Sequence, residues 1–216
     1  MIEMGARPPS RRAACFELAI FLALVFSYIW IWAHAFPGDK MVIYVAGLGL
    51  TLLTHAIHRE GPAQIGVRLD NFFAAARDAA IPALPLVAIF VTMGILGGHF
   101  GREALDLQRF LRVLAWGFLQ QYLLQGFIHR RLASVISRPL WREIVVAAIF
   151  SLLHMPNPVL MSVTFLAGWI FAVLYRRHPN LIVLALCHAV GSTAVAFGFD
   201  TGVLHRMRVG PGYFRF

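Results

Sequence analysis

Long apolar runs alternate with short polar segments along the whole chain. The runs lie at residues 16–36, 41–57, 79–98, 109–129, 143–154, 159–175 and 181–199. About 20 helical residues cross the hydrocarbon core of a bilayer, which is ~30 Å thick, and most of these runs approach that length. The pattern therefore predicts an all-α, polytopic integral membrane protein with about seven transmembrane helices.

The composition supports a membrane protein with a single domain. The 216 residues are 59% hydrophobic and only 13% charged, and the mean hydropathy is +0.72. We expect one membrane domain over residues 1–216, in which residues 110–199 form the core and residues 200–216 form a basic tail. The chain has two cysteines, Cys15 and Cys187, too few to suggest a disulfide framework.

Positive charge falls mainly in alternate loops. The basic residues of these loops are Arg7, Arg11, Arg12, Arg59, Arg68, Arg77, Arg130, Arg131, Arg138, Arg142, Arg176 and Arg177, whereas the other loops carry Asp39, Lys40, Arg102, Glu103 and Asp106. By the positive-inside rule, the basic loops and the amino terminus face the cytoplasm, and we expect a plasma (inner) membrane location. Topology thus explains the net charge of +9, and no nucleic-acid partner is expected. Seven crossings would place the carboxyl terminus outside, which Arg206, Arg208 and Arg215 fit poorly.

The loop between the second and third runs has an organised pattern. After a break at Gly61 and Pro62, the segment from residue 70 to 78 carries apolar side chains on one helical face. The pattern predicts an interfacial helix that leads into the third span.

Three amides interrupt the fourth run. Gln120, Gln121 and Gln125 stand in a stretch that is otherwise apolar from residue 110 to 128. Polar groups without partners in hydrocarbon cost several kcal/mol each, so these amides are expected to face a protein interior or a polar cavity.

Two of the nine histidines lie at the same predicted depth as these amides. At 1.5 Å per residue, His154 and His188 are roughly 16 and 11 Å from the cytoplasmic face, and the amide pair is roughly 15 Å from it. Helical spacing places Phe150 on the face of His154, and Ser192 on the face of His188. Buried ionisable groups in membranes usually mark a site, so we expect three helices to form one that opens toward the cytoplasmic half of the bilayer. The other histidines stand at the ends of runs and are interpreted as interfacial: His34, His55, His58, His99, His129, His178 and His205.

The order and spacing of these residues resemble the CPBP family, the CAAX protease and bacteriocin-processing (Abi) intramembrane endopeptidases. That family carries the motifs EExxxR, FxxxH and HxxxN or HxxxD on successive membrane helices. The matching stretches are Gln120-Gln121-Tyr122-Leu123-Leu124-Gln125, Phe150-Ser151-Leu152-Leu153-His154 and His188-Ala189-Val190-Gly191-Ser192. The resemblance implies the CPBP fold and hydrolysis of peptide bonds in membrane-embedded or lipidated proteins, without a soluble cofactor.

The resemblance also implies a role for each matching residue. In the family, a glutamate and the histidines activate a water that attacks a peptide carbonyl, while the asparagine and a histidine stabilise the oxyanion. Catalytic roles are therefore implied for Gln120, Gln121, His154, His188 and Ser192, and substrate binding for Gln125 and Phe150.

The departures from the family motifs leave activity open. Both glutamates are glutamine here, the arginine is Gln125 and the asparagine is Ser192. Glutamine can orient a water but cannot accept its proton near neutral pH. His154 could accept that proton instead, because an imidazole titrates near neutrality. A pseudoprotease that binds membrane proteins without cleaving them is the alternative, because all the charges of the first motif are gone together.

Three further interpretations are weaker. His154 and His188 could bind a metal, but zinc normally needs three or four protein ligands, and amides and hydroxyls are poor ones. Serine catalysis by Ser192 or Ser151 would need a base within about 3 Å and a third group to orient that base. A small-solute transporter would use inward amides and histidines to line a path, but this polar set clusters at one level.

Overall fold

The computed structural model describes residues 7–35, 40–99 and 106–214. Over these ranges the regular secondary structure is helical, without strands. The long helices are α1 (Arg11–Ser27), α2 (Lys40–Ile57), α3 (Phe72–Leu96), α4 (Leu107–Gln121), α5 (Pro139–Leu152), α6 (Pro158–Arg177) and α7 (Leu181–Gly198). The predictions for Phe36, Asp39, Arg102, Glu103 and Arg215 fall outside the described residues.

Two of these helices continue as π-helix. α1 runs into a π-helical segment, Tyr28–Trp32, and a last α-helical turn, Ala33–Ala35. α4 runs into the longer π segment Tyr122–His129 and then into the α-helical turn Arg130–Ala133. A short helix, Pro62–Ile65, lies between α2 and α3, and two 3₁₀ turns, His205–Met207 and Gly210–Phe214, follow α7.

The all-helical membrane class is confirmed. Four helices of the described chain are long and apolar enough to cross a membrane: Arg11–Trp32, Phe72–Leu96, Pro158–Arg177 and Leu181–Gly198. A shorter apolar helix covers Val45–Ile57. The chain is therefore a multi-pass membrane protein, while the number of seven crossings stays a prediction.

The interfacial helix predicted before the third span is not a separate element. α3 begins at Phe72 and continues without a break to Leu96, although Pro82 and Pro85 lie inside it. The predicted interfacial segment therefore forms the first turns of the spanning helix itself.

Side chains of asparagine and aspartate determine where several helices begin. Asp106 accepts a hydrogen bond from the Gln108 amide at the start of α4. Asn157 caps α6 by accepting from the Leu160 amide, and Asn180 caps α7 by accepting from the Val183 amide. Such caps satisfy amide donors that have no partner within the helix, and each typically contributes about 1 kcal/mol.

The basic segments meet at one end of the molecule, which we call the basic end. Arg130, after α4, bonds to Glu60 and to the Gln64 carbonyl oxygen in the loop between α2 and α3. Asn180, before α7, donates to the carbonyl oxygen of Arg68 in that same loop. The two loops and the end of the α4 extension therefore lie together.

A buried ion-pair network holds this basic end. The Arg131 side chain is 0% exposed, and its guanidinium lies 2.5 Å from a Glu17 oxygen and 2.7 Å from a Glu60 oxygen. His55 bonds to Glu60 at 2.6 Å, and His58 bonds to Glu17 at 2.7 Å. Burial alone would raise the pKa of Glu60, but hydrogen bonds from His55, Arg130 and Arg131 outweigh it and lower that pKa to about 2. Glu60 is thus an ionised anchor between α2 and the α4 extension, and Arg131 links it to Glu17 of α1.

The segment after α7, residues 200–214, folds back over the opposite end. The buried side chain of Asn157 donates to the Leu204 carbonyl oxygen at 2.8 Å and to the Arg208 carbonyl oxygen at 3.4 Å. The Gly210 amide donates to the Met155 carbonyl oxygen at 2.7 Å. This segment, termed a basic tail above, is therefore anchored on the turn between α5 and α6.

Candidate functional site

The first predicted motif lies where α4 changes from α-helix to π-helix. Gln121 is the last residue of the α-helical part, and Gln125 lies within the π segment. Both side chains are 0% exposed. Segments of π-helix are rare and are often found at functional sites, because the extra residue per turn redirects neighbouring side chains.

Gln121 contacts the histidine of the third motif. Its amide nitrogen, Nε2, lies 3.1 Å from Nδ1 of His188 on α7. α4 approaches the His188 ring closely because residue 117 is glycine: a Cβ at Gly117 would lie 3.0 Å from His188 Cδ2. The third motif is therefore held directly against the first.

The histidine of the second motif is fixed by its own helix end. His154 stands two residues past the end of α5, and its Nδ1 donates to the Phe150 carbonyl oxygen at 2.7 Å. Its ring packs at 89° against the Phe150 ring, with 4.9 Å between the centroids. Since a neutral imidazole carries one proton, a proton on Nδ1 leaves Nε2 of His154 as an acceptor.

Phe150 also contacts His188, so one phenyl ring touches both histidines. The centroids of Phe150 and His188 are 6.1 Å apart, and the His188 ring also stacks on Phe171 at 6.2 Å. The His154 ring lies 4.9 Å from the same phenyl centroid, so the two imidazole centroids are at most about 11 Å apart. The three predicted motifs thus meet in one place.

A cavity of about 1080 Å³ lies beside these motifs. Gln120, Phe150, His154, His188 and Ser192 all line it, and the rest of the lining is mostly apolar. The cavity extends to His99, Arg109 and Thr201, which belong to the end opposite the basic end. Its lining is therefore not confined to the half of the bilayer predicted from the sequence.

Gln120 lines this cavity, whereas Gln121 and Gln125 are not among the lining residues in the described part of the chain. Gln125 accepts a hydrogen bond from His129 Nδ1 at 3.0 Å, and His129 Nε2 in turn accepts from the Arg142 side chain at 3.1 Å. Substrate contact by Gln125, implied by the resemblance, does not fit this position. Gln125 instead holds His129, which is buried within the protein and is not an isolated interfacial residue.

The cavity wall carries no carboxylate within the described part of the chain. The motif residues contribute an amide, two imidazoles and the Ser192 hydroxyl to it, and the hydroxyl residues Ser162, Thr164 and Thr193 also line it. Ser151 is engaged elsewhere, because its hydroxyl donates to the Met161 carbonyl oxygen at 2.8 Å. The neutral groups can donate and accept hydrogen bonds around a reacting carbonyl without the cost of burying a charge.

Sequence reasoning missed several residues that shape the site. Gly117 allows His188 to approach α4, and Asn157 fixes the turn that follows His154. An isolated glycine inside a helical pattern indicates close packing, so Gly117 could have been found from the sequence. The signal for Asn157 was its position before Pro158, which is typical of a helix start.

A comparison with family models matches residues 103–194 to "Type II CAAX prenyl endopeptidase Rce1-like". The matched range covers somewhat less than half of the chain and includes all three motifs. Comparisons with curated proteins and with solved structures gave no match. The resemblance to the CPBP family is confirmed, and residues 103–194 of this membrane protein are similar to the CAAX endopeptidases.

Proposed function

We propose that this protein hydrolyses peptide bonds in membrane-bound or lipidated proteins, with His154 in place of the family's glutamate as general base. One observation carries the proposal: His154 and His188 line the same cavity, and their hydrogen bonds leave an acceptor on the first and a donor on the second. Peptide hydrolysis needs both, an acceptor for the proton of water and a donor for the oxyanion.

The proposed reaction uses only groups that line the cavity. The oxygen of a water, oriented by the Gln120 amide, attacks the carbonyl carbon while its proton passes to His154 Nε2. His188 and Ser192 donate hydrogen bonds to the oxyanion that forms. When the carbon–nitrogen bond breaks, His154 returns the proton to the leaving nitrogen, which yields one carboxyl group and one amine.

The substrate class follows from the size and lining of the cavity. Its wall is largely apolar and it lies among membrane-spanning helices, so it suits a lipid chain or an apolar peptide segment better than a soluble polar peptide. The matching family model is described as a type II CAAX prenyl endopeptidase. We therefore propose a lipidated or membrane-embedded protein as the substrate of this chain.

The proposal includes an orientation in the plasma (inner) membrane with the amino terminus in the cytoplasm. It is supported by the contacts that bring Arg130 and the loop containing Arg68 to one end of the molecule. Excess arginine at one end is typical of the cytoplasmic side.

A second function is favoured by the absence of carboxylates from the described cavity wall. The family's two glutamates and its arginine are all replaced by neutral residues in this chain. This is the pattern expected of a pseudoprotease, because a protein that only binds its substrates needs no charged base. Such a protein would hold membrane proteins in the cavity and release them intact.

The two functions are separated by one reconstitution. Purified protein in liposomes is mixed with lipidated and membrane-proximal peptides that carry a photo-crosslinker, and both cleaved product and crosslinked peptide are measured by mass spectrometry. Product formation supports the protease. Crosslinking at cavity residues with no product, under conditions in which a CAAX endopeptidase cleaves the same peptides, supports the pseudoprotease.

A further inference from the structure

We propose that Gln121 is a positioning residue that fixes the tautomer of His188, so that His188 presents an N–H and not a lone pair to the cavity. The inference deepens the proposed function and rests on it, because the presented N–H is the oxyanion donor of that reaction. It assigns to Gln121 a role that a glutamate at the same position could not perform in its ionised form.

The contact between the two side chains determines where the proton lies. The amide nitrogen of Gln121 has only N–H groups to offer, and it lies 3.1 Å from Nδ1 of His188. Nδ1 must therefore accept the hydrogen bond, and a neutral imidazole that accepts at Nδ1 carries its proton at Nε2.

The opposite orientation of the amide is disfavoured by its surroundings. As oriented, Gln121 leaves one buried atom, Oε1, without a hydrogen-bond partner in the described structure. If the side-chain amide were rotated by half a turn, its nitrogen would take the position of Oε1. The N–H groups would then have no acceptor there. Buried N–H groups without partners are rarer in proteins than under-satisfied carbonyl oxygens, so the first orientation is the more stable one.

The result is a division of roles between the two histidines. Phe150 accepts the Nδ1 proton of His154 and leaves that ring an acceptor, whereas Gln121 donates to His188 and leaves that ring a donor. Both rings line the cavity and contact the Phe150 ring. Hydrolysis needs both kinds of group: an acceptor for the proton of the attacking water, and a donor to the oxygen of the substrate carbonyl.

An ionised glutamate at position 121 would reverse this arrangement. A carboxylate has no N–H and can only accept, so it would hold the proton on Nδ1 of His188 and leave a lone pair at Nε2. The glutamine is therefore an active part of this site, and not only the remnant of a lost carboxylate.

The test is a measurement of the His188 tautomer by ¹⁵N NMR on the full chain in liposomes without substrate. The protein is labelled with ¹⁵N-histidine, and the His188 signals are assigned from their loss in His188→Ala. The wild type should show Nε2 protonated with a preference of about tenfold, which corresponds to one hydrogen bond of roughly 1.4 kcal/mol. A proton on Nδ1 in the wild type would overturn the inference.

Two substitutions complete the test. Gln121→Met keeps the volume but removes the N–H donor, so the preference should fall toward unity, whereas Gln120→Met should leave it unchanged. An unchanged tautomer in a folded Gln121→Met protein would also overturn the inference. If the tautomers behave as expected while no peptide is cleaved, the proposed function fails and the assignment of the resting tautomer stands. If peptides are cleaved, Gln121→Met should lower kcat and leave KM unchanged.

Discussion

His154 Nδ1 donates to the Phe150 carbonyl oxygen across 2.7 Å, at the point where α5 ends. This bond joins the first and last residues of the FxxxH motif. It explains why the two stand four residues apart, since that spacing brings the ring under the carbonyl of the preceding turn. The phenyl ring and the backbone of Phe150 thus orient one histidine, and the same phenyl ring contacts the other.

Restoring a glutamate should have different effects at the two positions of the pair. Gln120→Glu adds a carboxylate to the cavity wall, where it can accept the proton of water, and cleavage should rise or appear. Gln121→Glu places the carboxylate in a fully buried position behind His188, so it should not raise cleavage and should lower the melting temperature. Rates on a lipidated peptide and melting in detergent measure both effects.

Equal gains from both single substitutions would contradict this prediction. They would mean that the two glutamine side chains have equivalent access to the substrate. Gln125→Glu serves as a further control, because that residue is equally buried and contacts His129 but not the cavity.

Adding one methyl group at Gly117 should impair the site with little effect on the fold. A Cβ at this position would lie 3.0 Å from Cδ2 and 3.3 Å from Cγ of His188, so the ring must move by a few tenths of an ångström, which disturbs its contact with Gln121. We expect Gly117→Ala to lower kcat by about tenfold or more, since misplacement of a catalytic group by 1 Å can cost as much as 10²-fold. Single-turnover cleavage in liposomes is the measurement.

Gly191→Ala is the matched control. Gly191 lines the cavity, next to Ser192, and a Cβ there would meet nothing within 4 Å. Alanine is also the better helix former by up to ~1 kcal/mol, so this variant should be as stable as the wild type or more so, with unchanged kcat. The prediction for Gly117 is wrong if the two variants behave alike.

The contribution of Glu60 to stability should depend on pH. Its pKa is about 2 in the folded protein, below its ordinary value of 4.5, so the folded state favours the ionised form. The stabilisation is therefore complete above pH about 4.5 and is lost as the pH falls toward 2. Glu60→Gln should cost about 3 kcal/mol near pH 7, because it removes a partner of the buried Arg131.

The measurement is the melting temperature of the wild type and Glu60→Gln between pH 7 and pH 3. The difference between them should be constant from pH 7 to 5 and shrink below pH 4.5. Asp70→Asn is the control, since its pair with Arg68 is largely exposed and contributes little. A difference that grows as the pH falls would refute the prediction.

The segment over residues 200–214 should be released when Asn157 loses its N–H donors. Asn157→Asp keeps an oxygen to cap α6 but cannot donate to the carbonyl oxygens of Leu204 and Arg208. We expect hydrogen exchange over residues 204–210 to become at least about tenfold faster, because local opening costs less when such bonds are removed. Exchange measured by mass spectrometry reports this region directly.

Asn180→Asp provides a comparison at the other end of the molecule. Asn180 also caps a helix and donates to a backbone oxygen, that of Arg68, but it does not touch residues 200–214. Protection over residues 204–210 should be unchanged in this variant. Similar loss of protection in both would indicate general destabilisation and not release of an anchor.

The helices could be predicted from the sequence because each apolar run has its own period, length and boundary signals. The convergence of Gln121, His154 and His188 also followed from counting helical rise in each run. The sequence did not predict which of the two adjacent amides, Gln120 or Gln121, faces the cavity. That depends on how α4 packs on α7 and on the π-helical segment after Gln121.

The ion pairs could not be predicted because their partners are distant in the sequence. Glu17 lies in an apolar run and Arg131 more than a hundred residues later, and only the packing of α1 against the α4 extension brings them together. The position of residues 200–214 was missed for the same reason, since a basic composition gives no indication of the backbone hydrogen bonds to Asn157.

The most direct measurement of the central claim is the rate at which wild type and His154→Ala cleave one lipidated peptide in liposomes, with His178→Ala as the control at a loop position bonded to Asp78. If His154 is the base, the wild type and His178→Ala cleave at equal rates, and His154→Ala loses at least about 10²-fold in kcat. Equal rates in all three proteins would contradict the account, and so would bound but uncleaved peptide in the wild type.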